Sequence, residues 1–118
     1  MRLSRRGGDM ISKELLREVW KWKYATIKDC RVAGKHIEVT FNETNSKDKI
    51  NIYELVHKCK EWAMNQQYSL RSEIYRNGCG YVLCEPRTSG LKDSSFTGST
   101  EPESIFKACQ WILDNKDK

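Results

Sequence analysis

Apolar positions recur along the chain with two periods, and the switches between them mark the elements. Ser12 is placed to cap a short helix to about Trp20, with Leu15, Leu16 and Val19 on one side and Glu14 near its positive end. In WKWKY, residues 20 to 24, the period moves towards two, which puts Trp20, Trp22 and Tyr24 on one face and Lys21 and Lys23 on the other. Strands are expected from about Tyr24 to Val32 and from His36 to Asn42, joined by Ala33-Gly34-Lys35. In the second, Ile37, Val39 and Phe41 alternate with Glu38 and Thr40, so one face is buried and the other wet.

The polar stretch Glu43 to Lys49 reads as a loop. After it, Asn51 and Glu54 form a capping box, and Ile52, Leu55, Val56, Cys59, Trp62 and Ala63 make the stripe of a helix to about Gln67. Tyr68 to Arg76 alternates again; Asn77-Gly78 is a hairpin signal, and Cys79 to Glu85 returns as the partner strand, stopped by Pro86. Arg87 to Ser99, rich in Ser and Thr, reads as a long loop and a candidate contact surface. Thr100-Glu-Pro-Glu103 starts a last helix to about Asp114, striped by Ile105, Ala108, Cys109 and Ile112. The order α-β-β-α-β-β-α predicts an α+β two-layer sandwich: an antiparallel sheet of about four strands, covered by helices.

Length and composition narrow this further. A chain of 118 residues, 38% hydrophobic and with 12 aromatic side chains, supports one domain with a core. No stretch reaches the roughly 20 apolar residues of a membrane span, and no apolar run follows the N-terminal arginines; the reading is a soluble, cytoplasmic protein without membrane contact. Five cysteines, an odd number, do not suggest a disulfide framework. The charge is lopsided: residues 1 to 35 hold ten Lys and Arg against four acids, whereas residues 36 to 118 hold eleven against twelve. Part of this excess lies in MRLSRRGGD, residues 1 to 9, read as a mobile basic tail ahead of a single domain over 10 to 118, with Met10 an alternative start.

Candidate chemistry is sparse. Cys79 and Cys84 form no CxxC knuckle, and His57 and Cys59 stand about 200° apart around a helix, so no metal site or cofactor is expected. No GxSxG elbow, P-loop or dinucleotide fingerprint is present, and Gly78-Cys79-Gly80 reads as a hairpin. A thiolate at Cys79 or Cys84 activated by His36 or His57 is the one catalytic arrangement to weigh, against the commoner buried structural cysteine. Aromatics interleaved with cations could bind single-stranded nucleic acid, rings stacking on bases while cations neutralise phosphates. The candidate contacts for nucleic acid or a partner are Arg17, Lys21, Trp22, Lys23, Lys28, Arg31 and Lys35. The competing reading makes the tryptophans core and the lysines a solvated face.

At INIYELVHKCKEWA (50 to 63) and TEPESIFKACQWILDNK (100 to 116) the chain resembles a group of short uncharacterised bacterial proteins, many carried by prophages or other mobile elements. The resemblance covers about a quarter of the chain, with Ser104 where alanine is commoner. It implies a helix-covered sheet and a mobile-element context, and supplies no catalytic residue, because the shared positions are caps and apolar stripes. The resulting expectation is a non-enzymatic binding module whose partner is another protein. The alternative is a weak, basic nucleic-acid binder using residues 17 to 35, and an open sheet edge also suits a homodimer.

Overall fold

The computed structural model describes residues 11–20, 27–41, 47–88 and 90–115. The elements are α1 (Lys13–Val19), β1 (Ile27–Ala33), β2 (His36–Phe41), β3 (Lys47–Asn51), α2 (Ile52–Asn65), β4 (Tyr68–Ile74), β5 (Gly80–Pro86), β6 (Ser94–Gly98) and α3 (Glu101–Asn115). The expected basic tail, residues 1 to 9, and the Lys21 to Tyr24 part of WKWKY lie outside the described residues.

All three helices begin at the expected caps. Ser12 Oγ accepts from the Leu15 N–H at 3.1 Å and donates to Gln110 Oε1 at 2.6 Å, so one hydroxyl caps α1 and ties it to α3. Asn51 Oδ1 accepts from the N–H groups of Tyr53 and Glu54. At α3 the Glu103 N–H donates to Thr100 Oγ1, while the Glu103 carboxylate reaches one residue further back than the usual capping box, accepting from the Ser99 N–H at 2.7 Å. The helix α2 stops at Asn65, slightly before the expected end, and Gln67 follows with φ of 72°. That left-handed position after a helix is normally glycine's.

The single sheet of about four strands is not what forms. The fold is α+β with two three-stranded antiparallel sheets, ordered β1-β2-β3 and β4-β5-β6. Each expected hairpin is present. Gly34, with φ of 65°, opens the two-residue turn between β1 and β2. Each hairpin then acquires a third strand from a segment read as loop: β3 pairs Ile50 with Ile37, and β6 pairs Phe96 with Val82. Both added strands are edges, five residues long, with few apolar residues, so alternation alone does not reveal them.

The helices cover the inner faces of both sheets. The first helix packs on β1 and on both other helices; α2 touches β3 and β4, and α3 lies along β4, β5 and β6. One buried cluster joins Ile37, Val39 and Ile50 of the first sheet, Leu55 and Cys59 of α2, and Val82, Cys84, Phe106 and Ile112 of the second half. The first turn of α3 sits directly on two glycines that face each other across β5 and β6, Gly80 and Gly98. A Cβ on Gly80 would overlap the backbone of Thr100 and Glu101, and one on Gly98 would strike the Ser104 N and the Glu103 side chain. The buried Ser104 hydroxyl donates to the Glu101 carbonyl at 2.7 Å, so this donor is matched beside the contact with the sheet.

Gly80→Ala is expected to destabilise the protein by about 1–3 kcal/mol, because backbone must move to admit the methyl group; a chemical denaturation midpoint measures it. Gln67→Gly should have the opposite sign, raising stability by about 0.5–1 kcal/mol through relief of the left-handed φ.

Candidate interaction surfaces

Four of the seven basic-segment candidates lie among the described residues, and they do not converge. Arg17, near the end of α1, lines a cleft of about 690 Å³ together with Ser12, Glu14, Glu18, Gln110, Leu113 and Asp114. Three carboxylates surround the one guanidinium there, so the local field repels a phosphate. The cleft's polar groups are also engaged: Gln110 Nε2 donates to Asp114 Oδ1 at 2.9 Å, and Glu18 Oε1 accepts from Trp62 Nε1 of α2 at 3.4 Å. Lys28 is exposed at the β1 register shift between Ile27 and Asp29, whereas Lys35 lies beyond the other end of that strand. Between them Arg31 pairs with Glu38 at 3.2 Å, which cancels its charge locally. Lys21, Trp22 and Lys23 fall outside the described residues. Trp20 packs against the core, with Lys58 Nζ 5.5 Å from its ring centre.

The thiols take a different position from that of a reactive site. Cys84 points inward from β5, 1% exposed, while His36 stands exposed on the first sheet and His57 stands exposed on α2, 3.4 Å from Glu61. The structure does not bring either imidazole to Cys84. Burial pushes the Cys84 thiol up from 9.0 to about 12, with Cys109 and Asp93 adding to it. Cys109 is lifted well above its ordinary value by hydrogen bonding with Cys59 and by burial, and its Sγ donates to the Cys59 carbonyl at 3.7 Å. Both are therefore protonated near neutral pH, the state opposite to an activated nucleophile. Cys79, at the hairpin before β5, is half-buried. Among the described residues no group of three or more His, Cys, Asp or Glu could hold a metal ion, and no helix is long and apolar enough to cross a membrane.

What sequence reading did not single out is the outer face of β4-β5-β6, which no described helix covers. Arg71, Glu73 and Tyr75 share it with Tyr81, Leu83 and Glu85, and with Ser95 and Thr97. The rings of Tyr75 and Tyr81 lie 6.0 Å apart, tilted by 32°. Arg71 grips Glu85 with two hydrogen bonds, of 2.9 and 3.0 Å, and that carboxylate raises its pKa. The signal was present as Tyr81 and Leu83 in phase on β5, but phase alone does not say which face the helices leave open. Compared with protein-family models, with curated proteins and with solved structures, the chain matches none.

The raised thiol pKa has a definite sign. The folded protein holds the Cys84 proton more tightly than the unfolded chain, so this contribution is complete below pH 9.0 and is lost as the pH climbs towards about 12. The loss is about 1.4 kcal/mol per pH unit in that window. Denaturation of the wild type and of Cys84→Val, followed against pH, should show the wild type falling more steeply above pH 9.0.

Proposed function

We propose that the chain is a non-enzymatic interaction module that works by contact with another protein, in the mobile-element setting its two helix motifs suggest. The observation that carries this reading is the helix-free outer face, where Tyr75, Tyr81 and Leu83 present apolar surface beside the Arg71–Glu85 pair. Tyrosine and arginine contribute much to protein interfaces, because each combines a large contact area with a polar tip. The scattered and partly neutralised cations of residues 17 to 35 favour protein over nucleic acid as the partner. The exposed Lys28 and Lys35 are what a weak nucleic-acid reading still has among the described residues. Its binding would collapse with added salt, whereas that of a largely apolar protein contact would change little.

Capture from a lysate of the native cell, with and without nuclease, tests the proposal when the wild type is run beside Tyr81→Ala and Leu83→Ser. The expected outcome is a protein held through nuclease and salt washes by the wild type and depleted about tenfold or more by each variant, as at an interface hot spot. Retention that nuclease abolishes, or that both variants keep, would remove the reading.

A further inference from the structure

Among the described residues, β4 offers the longest uninterrupted run of any sheet edge. The β1 edge is broken by its register shift, and β3 is short and charged at Asp48 and Lys49. On β6, Lys107 Nζ occupies the Thr97 carbonyl at 2.9 Å. The β4 strand is seven residues long, without proline or bulge.

Its hydrogen-bonding parity follows from two bonds. Arg87 N donates to the Gln67 carbonyl, and Tyr75 N to the Cys79 carbonyl. In an antiparallel ladder bonded pairs alternate, so the odd-numbered residues 67 to 75 bond across to β5. The main-chain groups of Tyr68, Leu70, Ser72 and Ile74 therefore point away from the sheet. Ile74 is 64% exposed, although its side chain is on the face that α2 and α3 cover further along.

We infer that β4 pairs with β4 of a second copy of this chain, antiparallel about a two-fold axis at Ser72, to make a continuous six-stranded sheet. The argument is self-complementarity in YSLRSEI. With Ser72 opposite its own copy, Leu70 meets Ile74 twice on the inner face, and Arg71 meets Glu73 twice on the outer face. Moving the two-fold axis by one residue in either direction, a register shift of two, places Arg71 against Arg71 or Glu73 against Glu73, two like charges face to face. The flank of α2 beside this edge is open. Lys60 reaches Ser72 there, at 3.2 Å, and His57, Lys60, Glu61, Met64 and Asn65 line a groove of about 600 Å³. Opposite charges at Lys60 and Glu61 suit an antiparallel α2 neighbour. Arg71 and Glu73 adjoin Leu83 and Tyr81 on the outer face, whereas Ile74 lies on the inner side, so Ile74→Lys tests the dimer apart from the partner contact.

Light scattering and sedimentation of the full chain at micromolar concentration test the inference. The wild type is expected at twice the 13.8 kDa of one chain. Ile74→Lys and Glu73→Arg, both at exposed positions, should each weaken dimerisation about tenfold or more while leaving the thermal melt of the monomer intact. Arg71→Glu should also weaken dimerisation alone, and mixing it with Glu73→Arg should restore a dimer, because both charged cross-strand pairs are then of opposite sign. In the wild type the amides of Leu70, Ser72 and Ile74 should exchange slowly, and in Ile74→Lys quickly. A monomeric wild type, or a dimer indifferent to both Ile74→Lys and Glu73→Arg, overturns the proposal. So does failure of the mixed pair to associate when each variant is folded.

Discussion

The structure depends on one buried stripe of α2 serving both sheets at once. A three-stranded sheet is marginal unless something covers its apolar face, and here one amphipathic helix contributes to the cover of both sheets while also packing against α1 and α3. The stripe of Ile52, Leu55, Val56, Cys59, Trp62 and Ala63 is wide enough for this because it includes two small residues where α3 comes close. Neither half of the chain has a complete core without α2. The cross-ties have the same centre: Lys60 donates to Ser72, and Ser72 donates to Glu101 at 2.5 Å, so one serine links α2, β4 and α3.

Much of this architecture was legible in the residues, and the reason is local. Helix caps are contacts over two or three residues, and Ser12, Asn51 and Thr100 each stand immediately before an apolar stripe that needs burial. The two hairpins were legible because Gly34 and Asn77-Gly78 tolerate the turn conformations between strands that alternate. What could not be read was where the hairpins go. The merged sheet follows if each hairpin has no better neighbour, but the chain supplies one within a few residues: Lys47–Asn51 for β2 and Ser94–Gly98 for β5. Their inward residues are few, with Ile50 and Phe96 the apolar ones, and edge strands that avoid aggregation look like loops for that reason.

The candidate site was legible in part, by composition and not by place. Summed charge says that residues 1 to 35 are basic, yet Arg17 faces Glu14, Glu18 and Asp114, and Arg31 faces Glu38. Those acids come from α1, α3 and β2, and only Glu14 and Glu18 are close in sequence to a cation they offset. Conversely, the seven residues YSLRSEI show their alternation openly, but whether the odd or the even set bonds to β5 depends on the Gln67–Arg87 and Tyr75–Cys79 contacts. Strand identity is a local property, and edge polarity is a tertiary one.

The cysteines show the same division between type and place. On α3, Ser104 and Cys109 are both fully buried, and they satisfy their protons differently. Ser104 turns back to a carbonyl of its own helix, a bond available to a hydroxyl near an N-terminus, where α3 sits on Gly80 and Gly98. Cys109 meets α2, and its weak S–H donor reaches the Cys59 carbonyl across the interhelical gap. A serine at 109 would bring a stronger polar group into this apolar contact and would have to compete for a carbonyl already engaged in its helix. A larger aliphatic side chain would push the two helices apart. Thiol there is a matter of size and low polarity, which is why burial, in place of ionisation, governs the behaviour of these groups.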